Sequence, residues 1–221
     1  APASSAPITV IDLDSIVGSF DRASAFAFVP SPGPRESCVD RAVLARAFAH
    51  AGLMRLDAGA EPGFIASTSA YVASFTAPCD LLEIAAVDRA QREPERAVTS
   101  LTLESAGGSP LFPWYLDAAY GSGRPASVIL GLIAVAAQRT PPDDLTWRNE
   151  PDVFDALRAS LKARGAAIDD LLLDFAVARA FVGSRSDQAH LDDAARFGDL
   201  GRVRFEWSIP FETLPRRLAP L

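Results

Sequence analysis

Residues 39–77 read VDRAVLARAFAHAGLMRL-DAGAE-PGFIASTSAYVASFTA, with Cys38 just before them and Cys79 two residues after. The stretch decides the fold. Val39, Val43, Arg46, His50 and Leu53 recur at three-and-four spacing and share one face, which predicts a helix over about residues 39–54. Gly52 near its end and Asp57-Ala58-Gly59 beyond it are stop and turn signals. Pro62 suits the first turn of a second helix running to about Ala77. Phe64, Ile65, Ala66, Ala70, Tyr71, Val72 and Phe75 make that helix apolar nearly all round, the pattern of a helix buried on several sides. Pro78 ends it. Two helices of about sixteen residues, at about 1.5 Å per residue, are each about 24 Å long. Packed antiparallel, they set the start of the first beside the end of the second. Cys38 and Cys79, the only two cysteines, then share one end of the pair within disulfide reach, which predicts a bond between them. Two buried free thiols are the alternative. A disulfide places the protein in an oxidising compartment, the periplasm or the cell exterior.

Outward from this pair, the chain of 221 residues suffices for one large domain, or one domain plus a small module. Its 49% hydrophobic and 22% charged residues are those of an ordinary packed chain. A net charge of −7 argues against nucleic acid or anionic lipid as the main partner, because both need a basic surface. Lys162 is the only lysine, and the excess of Arg and Ala is what GC-rich bacterial coding produces. The longest apolar run, Val128 to Ala137, falls well short of the roughly 18 residues that span a bilayer. Ala1 to Pro7 is small and structureless, the kind of linker left once a signal or lipoprotein anchor is removed; a trimmed start looks the same.

Ile8 to Leu13 and Ala23 to Val29 read as short strands before a Pro-rich break at residues 30–34. After the helix pair, Asp80 to Arg92 is amphipathic, with Asp80 as cap and Glu83 three residues on. Val98 to Leu103 suits a short strand. Helices follow over residues 110–120, 125–139, 150–164 and 167–182, the last two split by Gly165, with a short one over 187–197. Arg202 to Pro210 alternates Val203, Phe205, Trp207 and Ile209 against polar residues, a half-buried strand. It either begins a C-terminal β-module that continues beyond the chain or pairs with the N-terminal strands. The expected fold class is mainly α with a few strands at both ends (α+β). Its parts are an N-terminal linker and strand pair (1–35), a helical domain (36–200) and a C-terminal β segment (201–221).

The helix order, Phe64-Ile65-Ala66-Ser67-Thr68-Ser69-Ala70, and two later stretches (residues 108–116 and 174–181) carry a resemblance. In outline the chain resembles the gluzincin zinc metallopeptidases, in which a His-Glu-x-x-His helix is followed by a helix supplying a glutamate ligand. The later stretches look like the helical lobe of bacterial extracytoplasmic peptidase-like proteins. The resemblance covers about residues 36–185 and puts His50 at the second histidine. Arg46 stands at the first histidine, Ala47 at the catalytic glutamate and Ala66 at the glutamate ligand. A zinc site needs two histidines one turn apart, a third ligand and a base for the water. These four vestigial positions offer one imidazole and a fixed cation that repels metal. The resemblance therefore implies a non-catalytic, peptidase-like domain with no metal or cofactor. Its old cleft, between the helix pair and the later helices, is left to a peptide or protein partner. The rival reading is a hydrolase using an unrecognised site. The bland reading of His50 is a core or helix-end histidine, favoured there by the helix dipole, in an unrelated helical bundle.

Other constellations are weaker. Ser186, His190, Asp192 and Asp193 have triad residue types but lie in one polar stretch, whereas triads are assembled from distant segments. The pairs Asp143-Asp144 and Asp169-Asp170 read as helix-start or solvated charges. Gly121-Ser122-Gly123 lacks the third glycine and the preceding strand of a dinucleotide fingerprint. Phe112, Trp114, Tyr115 and Tyr120 read as core aromatics before cleft-lining ones.

Overall fold

Ser37 starts the first helix with a reciprocal pair of hydrogen bonds. Its Oγ accepts from the Asp40 N–H at 3.2 Å, and the Asp40 carboxylate accepts from the Ser37 N–H at 2.9 Å. Two N–H groups are thereby satisfied at the helix entrance. A computed structural model of the chain carries this helix, α1, over Cys38–Leu56, and describes residues 8–12, 24–28, 37–94, 97–98, 108–137 and 151–204. Those residues are mainly helical. α1 runs on through Gly52, which is exposed on its surface. A glycine weakens a helix by only about 1 kcal/mol, and the following turn buries Leu53 and Met54.

α2 (Pro62–Thr76) begins at its proline, and every residue from Gly63 to Tyr71 is buried. α3 spans Asp80–Arg92, α4 Leu111–Tyr120, α5 Ser127–Ala136, α6 Val153–Lys162 and α7 Ile168–Ala180. Ahead of them the backbone of Ile8–Asp12 (β1) pairs antiparallel with Ser24–Phe28 (β2), Ile8 opposite Phe28. Of the strands expected over residues 98–103 and 202–210, the described residues 98 and 202–204 are not strand, and the rest lie outside the described residues.

Cys38 and Cys79 form a disulfide, with their α-carbons 5.3 Å apart. The bond joins the start of α1 to the residue before α3. It also changes the expected cap of α3. Cys79, whose sulfur is committed to the bridge, holds the cap position, so Asp80 is already inside the helix. Glu83 serves no capping box. It is buried and accepts from Arg196 Nη2 at 2.5 Å. Arg196 also lies 3.2 Å from Asp193 and sits over the Phe197 ring at 4.6 Å, which fastens the C-terminal segment to α3.

The short helix expected over residues 187–197 is absent. Asp187 accepts from the N–H groups of Ala189 and His190 at 3.0 and 3.3 Å, a local alternative to helical bonding. Gln188 and Asp193 adopt positive φ. Regular structure here is confined to 3-10 turns at Gly183–Arg185 and Ala194–Gly201.

One core serves the helix pair and the later helices. Phe112 of α4 stacks on Phe154 of α6 at 6.1 Å, meets Phe175 of α7 edge-on at 5.0 Å and faces Phe64 of α2 at 6.5 Å. Leu116, Ile129, Ile133, Leu171 and Leu191 complete it.

Candidate functional site

α1 and α2 pack side by side, and the bridge at Cys38 and Cys79 holds one end of the pair. Ala47 and Ala66 are 2% and 5% exposed. Both are absorbed into helix packing and present no polar group. Arg46 and His50 lie one turn apart on α1, and both are half-buried. Arg46 faces a cavity of about 30 Å³ shared with Ala70 and Ala73 of α2 and with Glu83 of α3. No carboxylate pairs with Arg46 among the described residues. Burial, and then the nearby Arg89, lower its pKa to about 10. His50 is pushed below its ordinary value by burial and then by Arg46, which favours the neutral imidazole. Across the cavity, Glu83 gives one carboxylate oxygen to Arg196 and keeps the other buried without a hydrogen-bond partner.

These residues do not fit zinc. Arg46 and His50 place one imidazole beside a cation, and the remaining two positions are alanines. Among the described residues no three His, Cys, Asp or Glu side chains form a set that suits a metal ion.

A second cavity, about 70 Å³, opens where α2, α3, α4 and α7 meet. Its polar lining comes from Ser67, Ser109, Arg89, Glu93 and Arg179, and its apolar floor includes Phe112 and Phe175. One wall depends on Gly108. That residue has φ +61°, and a Cβ there would run into the Ala66 carbonyl carbon and the Ser67 nitrogen. Only glycine allows the chain to lie this close on α2. The approach lets Ser109 N–H donate to Ser67 Oγ at 3.2 Å. A space of this size takes a few waters or one side chain.

No protein-family model matches the chain. Nor does any curated protein or solved structure. The candidate site stands on its own geometry.

The polar stretch near the C-terminal end builds a loop. His190 Nδ1 lies 2.8 Å from Asp187 Oδ2, and its ring stacks on Phe181 at 4.5 Å. Ser186 Oγ accepts from the Gln188 N–H at 3.3 Å. Asp192 and Asp193 are exposed, and Asp193 serves Arg196. Among the described residues no hydroxyl is joined to His190. The aromatics divide as well. Phe112 and Tyr115 are core, although Phe112 also floors the 70 Å³ cavity, while Tyr120 lines a separate groove. Sequence reasoning singled out none of Ser67, Arg89, Ser109 or Arg179 as site residues. The available signal was the glycine at 108, which marks a close backbone approach.

Proposed function

We propose that the chain is a non-catalytic, metallopeptidase-like binding domain that works outside the cytoplasm. In this reading it is an α+β unit with strands at both ends and a gluzincin-like helical core. The cavity between α2, α3, α4 and α7 receives a side chain of a peptide or protein partner. The observation that carries the non-catalytic part is the buried Ala47. It stands where the resemblance puts the general base, and a methyl group moves no proton. Arg46 and Ala66 support the same conclusion at two ligand positions. The Cys38–Cys79 bond supports export, since such bonds persist in oxidising compartments. No helix among the described residues is long and apolar enough to cross a membrane.

The test is metal content and turnover on one preparation. Protein purified in zinc and dialysed is expected to hold no stoichiometric metal and to leave a mixed peptide digest unchanged. One zinc per chain, lost together with peptide cleavage in His50→Ala, would overturn the reading in favour of a hydrolase. Peptide binding is read separately by isothermal titration against a peptide library. Arg89→Glu, at the rim of the cavity, is expected to weaken it.

A further inference from the structure

A more voluminous groove lies away from that site. It runs between α5 and α6 with a volume of about 420 Å³, within the roughly 300–1,000 Å³ range of small-molecule sites. Its floor is apolar and comes from Val128 and Leu132 of α5 and Leu157 of α6. Val135 also lines it and is 68% exposed, and Leu130 on the same helix is 39% exposed. α5 is apolar on every face apart from Ser127, so its open side is a surface that water solvates poorly. Gly131 deepens the groove, because a Cβ there would meet nothing within 4 Å.

One end of the groove is polar. Tyr120 and Ser160 line it, and the Arg164 guanidinium sits over the Tyr120 ring at 5.9 Å. Arg164 pairs with no carboxylate among the described residues. The start of α5 offers no rival anion site, because Asp117 already accepts from the Ala126 and Val128 N–H groups there. Among the described residues the groove thus presents an apolar trough with a single cation, unpaired by any carboxylate, at one end.

We propose that this groove binds an apolar carboxylic acid, its chain along α5 and its carboxylate against Arg164. The charge complementarity is one to one, and the planar guanidinium matches a carboxylate fork. The site is independent of the peptidase-like reading.

The test uses cis-parinaric acid, a fluorescent fatty acid, with the corresponding alcohol as control. The acid gives a saturable one-to-one emission rise with the intact protein. Gly131→Trp plugs the groove and abolishes the rise while leaving the thermal melt unchanged. Arg164→Ala lowers affinity for the acid about tenfold, the size of one charge-assisted bond, and leaves the alcohol unaffected. The proposal is overturned by a wild-type protein that shows no saturable rise, or by Gly131→Trp binding as well as wild type. It is also overturned if Arg164→Ala weakens acid and alcohol alike. Two further results reassign the groove and overturn the proposal: a wild-type dimer that Gly131→Trp separates, which gives it to a second copy, or preferential binding to phosphatidylglycerol vesicles, which gives it to a membrane surface.

Discussion

Gln91 and Arg179 hold each other across the junction of α3 and α7. Arg179 Nε donates to Gln91 Oε1 at 3.0 Å, and Gln91 Nε2 donates back to the Arg179 carbonyl oxygen at 3.0 Å. Gln91 Nε2 also reaches the Gly201 carbonyl at 2.9 Å, while Arg179 serves the carbonyls of Pro94 and Ala90. Both side chains are buried. The pair therefore ties α3, α7 and the end of the 3-10 segment into one unit.

This arrangement predicts a large cost for Gln91→Met. The substitution keeps the volume but strands the Arg179 Nε–H and the Gly201 carbonyl in the interior, while the Arg179 carbonyl keeps the Val182 N–H at 3.3 Å; each buried unsatisfied group costs about 1–3 kcal/mol. We expect a loss of about 3 kcal/mol in urea unfolding, with Arg179→Met similar. Arg92→Ala, which breaks an Asp88 pair whose arginine is exposed, is expected to change stability by less than about 1 kcal/mol.

The disulfide closes a loop with a sequence separation of 41 residues. In the chain-entropy account a loop of that length stabilises by about 4 kcal/mol, less any strain. Cys38→Ser with Cys79→Ser should lower the unfolding free energy by up to that amount without changing the helical content at low temperature. Mass spectrometry of the unreduced, unfolded protein should find no alkylated thiol. Two alkylated thiols would remove both the bond and the argument for export.

His50 and Glu61 predict opposite pH dependences. Burial and Arg46 depress the folded-state pKa of His50, so below 6.5 the unfolded chain binds its proton first. Stability should fall as pH drops from 6.5 through the depressed value, and His50→Gln should remove that slope. Glu61 is raised by burial, and then by Asp152 and Asp155. The folded chain keeps its proton above 4.5, so stability should fall as pH rises from 4.5 through the raised value. Glu61→Gln should flatten that limb and stabilise the protein at neutral pH. Urea midpoints from pH 4 to 8, with NMR titration of the His50 ring, check both signs.

The helices were legible because each rests on a local period. The sequence pattern places α3 over Asp80 to Arg92 and starts α2 at Pro62, and the structure agrees with both. The failures come where a side chain bonds locally or is claimed by a distant partner. Asp187 accepts from the Ala189 and His190 N–H groups and ends the helical pattern expected after it. Glu83 looks like a capping residue until Arg196, 113 positions on, claims it. At the candidate site, the nearness of Arg46 to His50 follows from one helical turn and was readable. The cavity wall was not, because Ser67 meets Ser109 across 42 residues of chain, and no periodicity reports such a contact.

One substitution, Gly to Ala, has opposite signs at two positions of this fold. At Gly108 a methyl group meets the backbone of Ala66 and Ser67, and φ of +61° disfavours any side chain. Neither obstacle is a flexible side chain that can swing aside. Strain at positive φ alone costs about 1–3 kcal/mol, and the backbone must also lift off α2. Gly108→Ala should therefore destabilise by about 2–4 kcal/mol. It should also break the Ser109–Ser67 bond, open the wall of the 70 Å³ cavity and speed amide exchange at residues 108 and 109. At Gly52 the added methyl meets nothing within 4 Å, and the residue lies inside α1 with ordinary helical backbone. There the gain in helix propensity stands alone, and Gly52→Ala should stabilise by about 0.5–1 kcal/mol. Thermal melts of the two variants beside wild type decide the matter. Equal shifts, or a stabilised Gly108→Ala, would mean that the chain does not lie on α2 at Ala66 and that the cavity wall is placed wrongly.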